Sequence, residues 1–95
     1  MEFPSVAEGD LFAIQTLVEY VQRLSMKAAE DIERAKKLIR DGDCLPSTKC
    51  AAYSIILTGK IVCNAAIKAA AEAENGDFDE VKTYCLIAYR IARDM

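Results

Sequence analysis

The sequence predicts an all-α protein, an antiparallel up-down-up three-helix bundle with two long helices and a shorter third. Two Gly-Asp pairs, Gly42-Asp43 and Gly76-Asp77, cut the chain into three segments. Within each segment the apolar residues recur at the helical period rather than in alternation. The connections are only a few residues long, which makes consecutive helices antiparallel neighbours. A chain of 95 residues holds one domain, 1–95, and has no room for a second. Its 53% apolar and 28% charged residues fit a compact globule and argue against a disordered chain.

The first helix is expected over 10–40, with two alternative starts. Ser5 with Glu8 reads as a capping box, and Asp10 after Gly9 is an equally good N-cap. Ile14, Val21, Ala28, Ala35 and Gly42 then recur every seven residues. Leu17, Leu24 and Leu38 complete this seam, and Val18, Ile32 and Ile39 widen it. Unbroken, such a helix spans roughly 46 Å.

The second helix is expected over 46–74. Pro46 suits its first turn, where the missing N–H is not needed, and Asp43 or Ser47 can accept from the free amides. Lys60, Asn64, Lys68 and Glu72 form a polar row at four-residue spacing, while most of the remaining circumference is apolar or alanine. That pattern makes it the central helix. The third helix, over 78–94, opens with Asp77 as cap and Glu80 as its third-position partner. Val81, Tyr84, Cys85, Ala88, Ile91 and Ala92 form its buried stripe.

The chemistry of the chain is defined by what it lacks. There is no histidine, which removes the commonest general base and the commonest ligand for borderline metals. The serines at 5, 25, 47 and 54 have no candidate base, and four glycines leave no phosphate-cradling loop. Cys44, Cys50, Cys63 and Cys85 have spacings that match no zinc or thioredoxin-like motif. Cys50 and Cys63 lie about 220° apart around one helix and cannot face one ion together. Glu19, Glu30, Glu33, Glu72 and Glu80 mostly map to outward faces, unlike the inward carboxylates of metal-binding bundles. These observations predict no catalytic, cofactor or metal site, with Cys63 and Cys85 as core residues. A redox pair of Cys44 with Cys50 is the alternative to four reduced thiols.

Charge and hydropathy limit the partners. The net charge of −3 is made of interspersed signs, which offers no broad basic surface for a nucleic-acid duplex. Within Glu30–Lys37, Glu30 precedes Arg34 and Glu33 precedes Lys37 by four residues, the favourable order on a helix. Arg34, Lys36, Lys37, Arg40 and Lys49 make a small basic patch near the first turn, suited to an acidic partner or a phosphate. The opening Met1-Glu2-Phe3-Pro4 lacks the basic and apolar regions of a signal peptide. Lys60, Asn64, Lys68 and Glu72 interrupt the most apolar stretch and argue against a membrane span. The expected location is the cytoplasm.

The stretch from Ala28 to Tyr53 resembles small prokaryotic helical-hairpin domains. The matching residues are Ala28 and Ala35 seven apart, the Gly42-Asp43 turn, and Tyr53 on the alanine-rich helix that follows. One such group is an archaeal family of uncharacterised three-helix proteins. Another is the HEPN superfamily, the higher-eukaryote and prokaryote nucleotide-binding helical domains. The resemblance covers about a quarter of the chain and implies a hairpin that dimerises or accompanies another protein. Catalytic members of the second group cut RNA with an arginine followed by a histidine, and a chain without histidine cannot do so.

Helix lengths point to a partner. A third helix of about seventeen residues covers near 26 Å, against roughly 40 Å or more for the first two. The end it does not reach holds Ile32, Ala35, Leu38, Ile39, Leu45, Tyr53, Ile56 and Leu57. Two helices alone cannot bury both of their apolar faces, so this end is the candidate interface. Pairing two copies about a two-fold axis completes a four-helix layer, with Gly59 and the alanines allowing close approach. A first helix bent near Ser25 would instead wrap the second and leave a monomer. The expected function is a non-enzymatic interaction or oligomerisation module. The alternative is a nucleotide- or nucleic-acid-associated helical accessory protein using the basic patch.

Overall fold

The computed structural model describes residues 3–4, 11–42 and 45–94, and every structural statement below concerns these residues. Ser5, Glu8, Gly9, Asp10, Asp43 and Cys44 lie outside them. Three helices pack against one another: α1 (Leu11–Asp41), α2 (Pro46–Glu74) and α3 (Phe78–Arg93). The molecule is a rod of 50 × 21 × 15 Å. Its long axis is close to the roughly 46 Å that thirty-one helical residues rise.

Local sequence explains the helix ends. Gly42 and Gly76 adopt φ of +75° and +71°, the left-handed region in which a Cβ is strained. At the end of α2, Gly76 N–H donates to Ala73 O at 3.1 Å and Asp77 N–H to Glu72 O at 3.2 Å. This is the paired pattern of a Schellman stop. Asp77 then reverses role and caps α3, its carboxylate accepting from Glu80 N–H at 3.2 Å. Asp79 and Glu80 in the first turn of α3 and Arg90 and Arg93 in its last oppose the helix dipole at both ends. The start of α2 is plainer. Ser47 is not the cap, because the helix already begins at Pro46. Leu45 occupies the capping position without a side-chain hydrogen bond.

α1 runs without a break past Ser25, whose hydroxyl donates to Gln22 O within the helix. Its buried face is Ala13, Ile14, Leu17, Tyr20, Val21, Leu24, Ala28, Ile32 and Ala35. Leu17, Val21, Val62, Val81 and Cys85 are the largest fully buried side chains, and together they draw on all three helices. The buried residues of α2 are small: Ala52, Gly59, Val62, Ala65, Ala66 and Ala69. Small side chains let α1 approach closely. A Cβ added at Gly59 would lie 2.7 Å from Ile32 Cγ1 and 3.4 Å from the Ala28 carbonyl oxygen. Gly59 therefore serves the contact between α1 and α2 and not, as the sequence suggested, the approach of two copies.

Candidate interaction face

The expected seam of α1 ends early. Ile32 and Ala35 are buried within the chain, Ile32 against Gly59 of α2, so neither is bare surface. Four residues further on, Ile39 is only half-buried, Leu38 is exposed, and the seam position Gly42 is exposed as well. The last α3 residues, Tyr89, Ala92 and Arg93, share a cavity with α1 positions 20–31.

The other predicted interface residues lie at this end in different states. Leu45, Tyr53 and Leu57 are 71%, 55% and 64% exposed, while Ile56 is half-buried. The row does not stop there. Tyr53, Leu57 and Ile61 follow at four-residue spacing on α2, Cys50 is exposed just before them, and Ile67 is exposed one and a half turns beyond Ile61. Ile61 and Ile67 were missed in the sequence because they flank the polar row of Lys60, Asn64 and Lys68, which is also exposed. Their signal was present in the even spread of apolar residues around α2. A helix apolar over most of its circumference has more to cover than two neighbours can reach.

α2 is also long and apolar enough to cross a membrane by length and composition. Its most apolar eighteen-residue window has a mean hydropathy of 1.5, and 28% of that window is buried inside the bundle.

The basic patch is partly neutralised. Arg34 pairs with Asp31 at 3.0 Å and with Glu30 at 3.8 Å, and Glu33 pairs with Lys36 at 3.8 Å rather than with Lys37. Lys37 and Arg40 are exposed and Lys49 is half-buried. Such surface pairs contribute little to stability, about 0–1 kcal/mol each, but they shrink the field available to an anionic partner.

The described cysteines, Cys50, Cys63 and Cys85, carry free thiols. Cys85 is fully buried in the core and donates to Leu17 O at 3.4 Å, and burial pushes its pKa up to about 12. Cys63 is half-buried and donates to Ser25 O at 3.7 Å. Cys50 alone is exposed. Among the described residues no group of three or more cysteine, aspartate or glutamate side chains converges on a point that could hold a metal.

What fold and surface define is a helical bundle with an apolar face left open along its second helix. No protein-family model matches the chain, and neither a curated protein nor a solved structure matches it significantly.

Proposed function

We propose that the protein is a non-enzymatic oligomerisation module that pairs with a second copy of itself through the open face of α2. The observation that carries this is the uncharged row Tyr53, Leu57 and Ile61, each about half exposed or more on a helix whose opposite side is already in the core. Contiguous apolar surface of this kind marks association sites.

The up-down-up order belongs to the same proposal. Going along α2 from Gly59 to Cys63, the partners on α1 move back from Ile32 to Ser25, as antiparallel helices require. Between α1 and α3 the partners advance together, Leu17 with Cys85 and then Lys27 with Arg93 around a shared cavity. In this order α3 shields the beginning of α1 and reaches back along α2 to positions 51–58, where Ile91 and Asp94 share a cavity with it, leaving 33–41, 45–50 and the opposite side of α2 for a partner. Two copies related by a two-fold axis bury the same row on each other and close a four-helix layer. The location that fits is the cytoplasm, with reduced thiols. A nucleic-acid accessory role is the weaker reading, because Asp31, Glu30 and Glu33 engage two of the five basic-patch residues.

Sedimentation equilibrium at about 50 µM tests the reading. The expected mass is twice the 10.5 kDa of one chain. Leu57→Asp is expected to return the single-chain mass with unchanged helicity. A wild-type mass of one chain removes self-association. Co-flotation with lipid vesicles would assign the same face to a membrane instead.

A further inference from the structure

Away from the α2 face, a cavity of about 350 Å³ opens between α1 and the end of α3. It is lined from α1 by Tyr20, Arg23, Leu24, Lys27, Ala28 and Asp31, and from α3 by Tyr89, Ala92 and Arg93. The α1 residues fall at intervals of three and four, so they share one edge of that helix. Ala28 and Ala92 are too small to fill the space where α3 ends.

Three features single this cavity out. First, it gathers cations on both sides. Arg23 and Lys27 sit four residues apart, a like-charge spacing that is unfavourable on a helix, and neither makes an ion pair among the described residues. Arg93 faces them across the cavity, its guanidinium 5.6 Å from the centroid of the Tyr89 ring and in an exposed pair with Asp94 at 3.7 Å. The only acid in the lining, Asp31, is already engaged by Arg34 at 3.0 Å.

Second, the wall contains an unpartnered donor. Tyr20 is 2% exposed, and its hydroxyl has no hydrogen-bond partner among the described residues. The oxygen is itself sealed from the cavity, so its missing hydrogen bond is a cost carried inside the wall. Burial first, then the neighbouring Tyr89 and Cys85, raise its pKa, so the phenol keeps its proton and remains a donor. Third, the rings are held in place. Phe3 meets Tyr20 and Tyr89 edge-on, with centroids 5.6 and 5.7 Å away.

We propose that this cavity binds a small ring-bearing organic anion, with Arg23, Lys27 and Arg93 holding its carboxylate or phosphate. Leu24, Ala28, Ala92 and the face of Tyr89 take the ring. The volume lies near the lower end of the roughly 300–1,000 Å³ typical of ligand sites, which suits a single ring. The site is independent of the α2 face, so neither stands or falls with the other.

The test is a titration of the labelled full chain with phenyl phosphate, phenylacetate and inorganic phosphate, followed through backbone amide shifts. Saturable shifts confined to 20–31 and 89–93 are expected with a ring-bearing anion below about 10 mM. Inorganic phosphate is expected to bind more weakly, and equal binding would remove the ring from the proposal. The double variant R23Q/K27Q should weaken binding at least about tenfold. Tyr20→Phe should leave the affinity within about twofold and the melting temperature unchanged or higher, because the lost hydroxyl is sealed from the cavity and had no partner. The absence of saturable shifts with both ring-bearing anions, or an unchanged affinity in R23Q/K27Q, would overturn the site.

Discussion

The part of the rod that α3 covers and the part it does not reach are built from the same kinds of residue. Leu17 and Val21 on α1 are fully buried between α2 and α3. Leu38, on the same seam about four turns beyond Leu24, is 48% exposed. Leucine is equally apolar at both places. The difference is the number of walls, because two helices touch along a line while three enclose a volume. Burial is therefore a property of where the sixteen-residue α3 stops, more than of which side chain occupies the seam.

The largest expected effects lie at the three-walled end. Leu17→Ala is expected to destabilise the protein by about 3 kcal/mol, through lost burial and the cavity left behind. Leu38→Ala should cost under about 1 kcal/mol in the single chain. Urea unfolding of both variants measures the contrast, and equal losses would erase the distinction between the two ends.

At the boundary between the ends, Gly59→Ala sets two principles against each other. Alanine gains about 1 kcal/mol of helix propensity over glycine. Its methyl group would stand 2.7 Å from Ile32 Cγ1 and close to the Ala28 carbonyl, a branched side chain and a backbone atom with little freedom to move. Overpacking wins, and a net loss of about 1–2 kcal/mol is expected. A stabilised variant would show that α1 and α2 can separate without cost.

The covered end should also respond to pH. Unfolded, Cys85 titrates near 9, whereas in the core it holds its proton until about 12. A raised pKa contributes stability that is complete below the unfolded value and is lost as pH rises from 9 towards 12. Tyr20 acts with the same sign. The loss between pH 8 and 10.5 should be smaller in Cys85→Ala than in the wild type, read as the shift in urea midpoint. In the native protein at pH 8, a thiol reagent should modify Cys50 quickly and Cys85 only on unfolding.

The smallest effect belongs to the surface charges. Arg34→Ala removes two exposed ion pairs and should change stability by about half a kcal/mol or less. A larger loss would mean that the charged face of α1 supports the two-walled end in a way its packing does not.

Much of this architecture was legible residue by residue. Pro46, Gly76 and Asp77 mark helix ends through backbone rules that act within a few residues, and Asp77 caps as its spacing to Glu80 indicated. The seven-residue seam of α1 named its buried face correctly as far as Ala35. The candidate interface was read less well. Ile32 and Ala35 turned out to be buried within the chain, Ile32 against Gly59 of α2, and the exposed Ile61 and Ile67 were passed over. The Tyr20 cavity left only one trace, the like charges of Arg23 and Lys27 four residues apart, which reads as an ordinary solvated face until α3 is placed beside it.

The sequence by itself determined that there are three helices, where they stop, and which side of α1 is apolar. These follow from local hydrogen bonding and from a seam with a polar opposite face. Which side of α2 is covered was decided only by tertiary structure. Its apolar residues occupy most of the circumference, so periodicity marks only the narrow polar row, and packing chose the side carrying Gly59 and the alanines because the closest approach to α1 is possible there. Tyr53, Leu57 and Ile61 were left outside by the same choice.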